Sequence, residues 1–245
     1  MARVSFLGVF AERRNRVELR LARLLELDAA SLVQPGEPEV GWPALRLDCL
    51  RKMSRSRTYC SRTVVRDFTN EKLAARDFIV IQWRTDFVYP DRWHVTQEAV
   101  DGELGVLWDE WITIGENNYQ NMGLWLQTAN NLQEGLNRRL SLQGLMGVVT
   151  ERSPDEVRAG CHGPHSYMLA RYPAKSLGVF ASCFWGIDEN DLTAMNLGPL
   201  SVWVDATSKD ISKGEIFAYD GARRTGSISQ VFACFEEAIE VRPPA

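Results

Sequence analysis

Successive short runs of alternating or β-branched residues, each ended by turn chemistry, limit what this chain can fold into. In the middle of the sequence they are Arg57–Arg66, Asp77–Thr85, Arg92–Val100 and Leu104–Gly115, with Tyr119–Leu126 as a further short run. Three more close the chain: Leu200–Asp205, Lys213–Tyr219 and Ser227–Val241. A period of two is strand chemistry, because successive side chains leave a pleated backbone on opposite sides. Between the runs stand Tyr89-Pro90-Asp91-Arg92, Asp101-Gly102 and Glu116-Asn117-Asn118, residue types that favour reversals. Sequential strands joined by tight turns pair antiparallel, so meanders are expected rather than a parallel sheet wound with helices. Val179–Trp185 reads as one further strand, and Thr150–Ser166 reads as irregular.

The period changes in three places. Glu12–Leu32 places Val17, Leu21, Leu24, Leu25 and Leu27 at near-helical spacing between Arg and Glu. Pro43 to about Ser56 is a second helix, with Pro43 suited to its first turn and Leu45, Leu47, Leu50 and Met53 as apolar positions. Asn131–Leu145 carries Leu132, Leu136, Leu140 and Leu145 and reads as a third. The stretch Val33–Gly41, VQPGEPEVG, has the composition of a linker. The expected organisation is therefore an N-terminal helical extension and linker over residues 1–41 and one main domain over 42–245. Its class is α+β, built on a large, curved antiparallel sheet.

Composition narrows the function. With 245 residues, 45% hydrophobic and 24% charged, the chain can bury a core. A net charge of −4 does not provide the basic footprint of a general nucleic-acid binder. Eight Trp are present, with Trp83, Trp93, Trp108, Trp111 and Trp125 close together. Clustered Trp fills a core, lines a cavity or marks a surface that binds. The five Cys form no Cys-x-x-Cys pair and, being odd in number, no complete disulfide framework. Cys183 and Cys234 lie in similar runs, VFASCF and VFACF, and are the first choice for a bridge if those strands are neighbours; two buried thiols are the alternative. No stretch is long and apolar enough to span a membrane. The start, MARVSFLGVFAERRN, does not read as a signal peptide, so as it stands the sequence reads as cytoplasmic.

Candidate chemistry is sparse. Cys161, His162 and His165 lie within five residues and are zinc-type ligands, but a structural site needs four and no second cluster is visible. GPLSVWVDA and KGEIF resemble the stretch near the active-site His of papain-like proteases. The nucleophile motif is missing, however, and Ser227-Ile228-Ser229-Gln230 offers no base to activate a thiol. GARRTG (Gly221–Gly226) has no following helix and reads as a hairpin turn. Asp109 and Glu110 are adjacent on a strand and point to opposite faces, so they make no acid–base pair. No catalytic residue, metal or cofactor is assigned.

Five stretches, in order, carry a family resemblance over about Leu45 to Pro244. They are KMSRSRTYCSRTVV, FIVIQWRTDFVYPDRWHV, WDEWITIGENNYQN followed by Leu124-Trp125, VWVDATSKDISKGEIF, and FEEAIEVRPP. Together they resemble the LolA/LppX-type lipoprotein-carrier superfamily, the bacterial outer-membrane lipoprotein-sorting type. The resemblance implies a strongly curved antiparallel half-barrel with helices covering its concave side. It further implies non-enzymatic binding or transport of lipid or lipidated protein in an apolar cleft, and a periplasmic or cell-envelope location. The expected partner is an acyl chain, with a membrane-associated protein as a further one. Alternate strand positions are the candidate lining: Phe78, Val80, Trp83, Phe87, Trp93, Val95, Trp108, Trp111, Val202 and Val204. Which strand parity faces the cleft is left open. The alternatives are a protein-interaction or sensor domain on the same scaffold, and a hydrolase using Cys161, His162 and His165.

Overall fold

A computed structural model describes residues 6–33, 41–100, 105–121, 123–128, 142–173 and 196–244. Its helices are α1 (Phe6–Leu25), α2 (Trp42–Met53) and α3 (Leu142–Glu151), with a 3-10 turn at Glu71–Arg76. The first meander is β1 (Thr58–Asp67), β2 (Ile79–Val88), β3 (Arg92–Val100), β4 (Val106–Ile114), β5 (Asn117–Asn121) and β6 (Trp125–Thr128). The second is β7 (Glu156–His162), β8 (His165–Tyr172), β9 (Leu200–Asp205), β10 (Ile211–Asp220) and β11 (Arg223–Ala233). The eleven strands among the described residues form one antiparallel sheet in the order β6-β5-β4-β3-β2-β1-β11-β10-β9-β8-β7. Among the described residues the sheet is open, with β6 and β7 at its edges, and the class is the expected α+β. Register shifts at Val65/Arg66, Ile211/Lys213 and Ala218/Tyr219 are bulges, which add bend to strands already twisted.

Several boundaries moved for physical reasons. Thr150–Ser166, expected to be irregular, contains β7 and the start of the β7–β8 hairpin. EVRAGCH has little β-branched content, so its strand comes from cross-strand pairing with β8 rather than from propensity. Tyr119–Leu126, expected as one strand, spans parts of β5 and β6. The strand expected over Ser227–Val241 stops at Ala233, where Cys234 and Glu236 take φ of 60° and 61° and turn the chain. Val33, the first residue of the expected linker, is bridged to β7: Val33 N donates to Cys161 O, and Cys161 N donates back to Val33 O, at 3.2 and 2.8 Å, and the rest of that stretch before Gly41 lies outside the described residues. Val179–Trp185, Asp101-Gly102 and the first part of Asn131–Leu145 lie outside the described residues, and α3 begins at Leu142.

The two faces of the sheet are covered differently. On one, α1 and the turn after it lay Leu21, Leu24 and Leu27 against Cys60, Tyr167, Leu169, Trp203, Val231 and Ala233. Each fully buried leucine contributes about 1.5–3 kcal/mol. Lys213, buried on β10, donates to Leu25 O and Leu27 O at 3.1 and 2.7 Å, and its ammonium is 3.0 Å from Glu215 Oε1. Carbonyls at a helix C-terminus lack intrahelical partners, and a cation there also meets the negative end of the dipole. Burial lowers the pKa of Lys213 and the Glu215 carboxylate opposes that shift. Ser229 Oγ in turn donates to Glu215 at 2.7 Å. Further along α1, Glu18 binds Arg62 of β1 and, at 2.9 Å, Arg84 Nε of β2.

On the other face, α2 and α3 cover the second meander. Leu45, Cys49 and Met53 of α2 and Leu142, Leu145, Val148 and Val149 of α3 cluster with Tyr172, Leu200, Val202, Val204, Ile211 and Phe232. Tyr59 OH accepts the Leu142 N–H at 3.2 Å and so caps the first turn of α3. The β9–β10 turn pins α2: Lys52 Nζ reaches Asp210 at 2.6 Å, and Lys209 Nζ reaches Asp48 at 2.7 Å. Asp205 Oδ1 shapes that turn by accepting Thr207 N and Ser208 N at 2.8 and 2.7 Å. The VWVDATSKD stretch thus has an architectural role for its Asp and both Lys–Asp pairs.

Candidate ligand-binding face

The strand register sorts the α2/α3 face of the first meander into rows. The first row is Tyr59, Phe87 and Trp93, directly opposite one another on β1, β2 and β3. Their rings touch, with centroids 4.9 Å apart for Tyr59–Phe87 and 4.4 Å for Phe87–Trp93. The second row runs Phe232, Ser61, Thr85, Val95 and Trp111. The third is Gln230, Thr63, Trp83, Gln97 and Asp109. The fourth, Ile228, Val65, Ile81, Ala99 and Leu107, is wholly aliphatic. An aromatic band and an aliphatic band therefore flank a band that mixes polar and aromatic groups.

The middle band divides into committed and uncommitted groups. Trp83 Nε1 donates to Gln97 Oε1 at 2.7 Å, and Gln120 Nε2 donates to Asp109 at 3.1 Å. Ser61, Thr63 and Thr85 are buried to 0%, 3% and 1% exposure, and their hydroxyls have no hydrogen-bond partner among the described residues. Buried hydroxyls are normally paired, because an unpaired one forfeits its hydration. Three on adjacent positions of one face, between aromatic rows, form the most unusual polar feature of the sheet. Sequence reasoning missed them and Tyr59; the signal lay in the alternation of RTYCSRTVVR, whose parity could not be assigned from sequence.

Seven of the ten residues selected from sequence share this face. Phe87, Val95 and Trp111 are buried, and Trp83 and Trp93 are half-buried beside Val95 and Trp111. Val202 and Val204 share the face but belong to the core beneath α2 and α3. The other three are placed elsewhere. Trp108 pairs across from Glu98 on the opposite face and is 71% exposed. Val80 is the extra residue at the β1–β2 bulge. Phe78 lies before β2 at φ 61°, its ring against Phe68. None of the ten lines either of two open cavities on the α1 side. One, about 700 Å³, lies between α1 and the β7–β8 turn and includes Arg20, Arg23, His162, His165 and Tyr167. The other, about 300 Å³, is lined by Arg16, Val17, Arg20, Cys234 and Glu237.

Cys161, His162 and His165 do not converge. Cys161 Sγ is 3.6 Å from Ser166 Oγ, His162 Nδ1 is 3.4 Å from Ser31 Oγ, and His165 Nδ1 is 3.6 Å from Asp205 Oδ2. Among the described residues no cluster of His, Cys, Asp and Glu is arranged to hold a metal ion. No helix among them is long and apolar enough to cross a membrane.

No family model matches the sequence, and no curated protein matches it. Among solved structures, the chain is similar to the lipoprotein LppX of Mycobacterium tuberculosis, with a TM-score of 0.47 and 13% identity over 82% of this chain and 100% of that one. It is also similar to a LolA superfamily protein of Nitrosomonas europaea, with a TM-score of 0.28 and 8% identity over 82% of this chain and 95% of that one.

Proposed function

We propose that the chain binds the acyl part of a lipid or lipidated protein, without chemistry, on the face formed by Tyr59, Trp83, Phe87, Trp93, Val95 and Trp111. The observation that carries this reading is the band of apolar and aromatic side chains around buried, unpartnered hydroxyls. Each methylene transferred from water to such a surface contributes about 0.8 kcal/mol, so a long chain binds with few polar contacts. The three hydroxyls then supply the few convergent polar groups that orient a ligand in an apolar site. Native mass spectrometry of the purified protein, together with displacement of a fluorescent fatty acid, tests this. Co-purified lipid, and displacement weakened by Trp83→Ala, is the expected result. Absence of both lipid and fatty-acid binding would sink the reading.

A second reading, a protein-interaction domain on the same scaffold, draws on a different region. Leu107, Trp108, Leu124 and Leu126 are 50% or more exposed around β4 and the edge strand β6. Exposed apolar groups clustered at a sheet edge favour a protein partner, including a membrane-associated one. Loss of partner capture on Trp108→Ser with fatty-acid binding intact would favour this reading.

A further inference from the structure

The two meanders are joined by a single strand pairing, β1 with β11, among the described residues. At one end of that seam Cys60 lies opposite Ala233, and Cys234 follows Ala233 where the chain turns. Cys60 and Cys234 are both buried, at 3% and 1% exposure. Both sit beneath α1, in the cluster of Leu21, Leu24, Val231 and Ala233. Cys234 is only 1% exposed, yet it forms part of the wall of the 300 Å³ cavity, which opens between Arg16, Arg20 and Glu237. Cys234 therefore borders a cavity that a small molecule can enter, and Cys60 is not part of its lining. The remaining described thiols are placed differently. Cys49 is enclosed under α2 and burial pushes it up to about 12, and Cys161 is held by Ser166.

We propose that Cys60 and Cys234 are a dithiol–disulfide pair, oxidised by a hydroperoxide entering the α1-side cavity, and that the bond staples the two meanders together. This goes beyond the lipid-binding reading and does not depend on it. The Cys234 thiolate attacks the terminal peroxide oxygen, an S–O bond forms, the O–O bond breaks, and the alkoxide leaves as an alcohol after taking a proton. The Cys60 thiolate then attacks the Cys234 sulfur, the S–S bond forms, and the S–O bond breaks with loss of hydroxide as water. Two thiols lose two electrons and two protons; the peroxide becomes one alcohol and one water, or two waters when it is hydrogen peroxide. The neighbouring Cys60 holds the Cys234 thiol below its ordinary value, with the Arg20 and Arg84 cations acting in the same direction, while Cys234 and burial push Cys60 up, which favours Cys234 as the attacking sulfur.

The test uses the full chain, reduced and then treated with hydrogen peroxide in slight molar excess. Remaining thiols are alkylated in denaturant and the peptides are mapped by mass spectrometry. A linked Cys60–Cys234 peptide that a dithiol reductant dissolves is expected. Closing so long a loop also raises Tm, on the order of 10 °C. In Cys60→Ser the reaction halts at a Cys234 sulfenic acid that dimedone captures, whereas Cys234→Ser leaves Cys60 unlabelled. If Cys60 and Cys234 are both alkylated after oxidation, the proposal is overturned. A Cys183–Cys234 link, or oxidation of Cys161 alone, overturns it equally. The wild-type map decides the matter even if a serine variant fails to fold.

Discussion

The α1 face and the α2/α3 face of one sheet handle buried polar groups in opposite ways. On the α1 side the charged groups are committed, although Trp203 Nε1 has no partner among the described residues. Lys213 serves two helix-end carbonyls and Glu215, Glu215 takes Ser229, and Glu18 holds Arg62 and Arg84. On the other side Tyr59 is committed to α3, Trp83 to Gln97 and Gln120 to Asp109, but the hydroxyls of Ser61, Thr63 and Thr85 bind nothing among the described residues. A face whose polar groups are spent on each other is built to hold, whereas hydroxyls left without partners among aromatic rings are the feature on which the proposed ligand site rests. That contrast is why the ligand reading rests on the first meander and the α1 helix is read as structural support.

The contrast breaks most sharply at Lys213. Lys213→Met removes the cation while leaving Glu215 and two carbonyls buried, and it is expected to cost about 3–5 kcal/mol by urea denaturation. A loss under about 1 kcal/mol would show that α1 does not depend on this clamp. A pH series separates the faces next. Tyr59, Tyr172 and Cys49, all on the α2/α3 side, have pKa values raised above ordinary values of 10.0, 10.0 and 9.0, chiefly by burial. Their folded forms retain protons that the unfolded chain releases. Their contribution is therefore complete below pH 9 and lost as pH rises through the raised values. Lys213 is shifted down, so the cost of burying its charge is relieved as pH approaches its ordinary 10.5. Urea midpoints are expected to fall across the alkaline range, and to fall more steeply in Lys213→Met than in the parent protein. An equal slope in the two would remove Lys213 from the account.

Smaller effects sharpen the comparison on the α2/α3 face. Tyr59→Phe leaves the Leu142 N–H without its acceptor and is expected to cost about 1–3 kcal/mol, read from urea unfolding and from loss of helical circular dichroism. Thr85→Val keeps the shape and removes an unpartnered hydroxyl, so stability should be unchanged within about 0.5 kcal/mol or improve. Affinity for a ligand bearing an ester or hydroxyl should fall roughly fivefold, with plain alkyl binding unaffected, in a fatty-acid displacement assay. A marked stability loss in Thr85→Val would mean that the hydroxyl is a structural partner after all.

Much of this was legible in the sequence, and the misses share a cause. The β3 and β9 boundaries, the turn at Gly221, and the opposite directions of Asp109 and Glu110 all follow from local pattern: Asp109 meets Gln120 while Glu110 meets His94. β7 was invisible because EVRAGCH becomes a strand only by pairing with β8. Seven of the ten selected residues share a face because period two groups them automatically; Trp108 and Val80 fell out because one parity or one bulge moves a side chain to the other side. Cys60 and Cys234 are 174 positions apart by number, and no local signal joins them.

The sequence by itself determined that this chain builds an antiparallel meander with helical segments and a tryptophan-rich middle, since alternation and turn residues act over a few neighbours. Only the tertiary structure decided which parity is enclosed, that α1 and α2 take opposite faces, and that β1 joins β11 to make one sheet of two meanders. Those outcomes depend on contacts between residues distant in the chain, where a side chain gains a buried partner only after the strands on either side of it are in register.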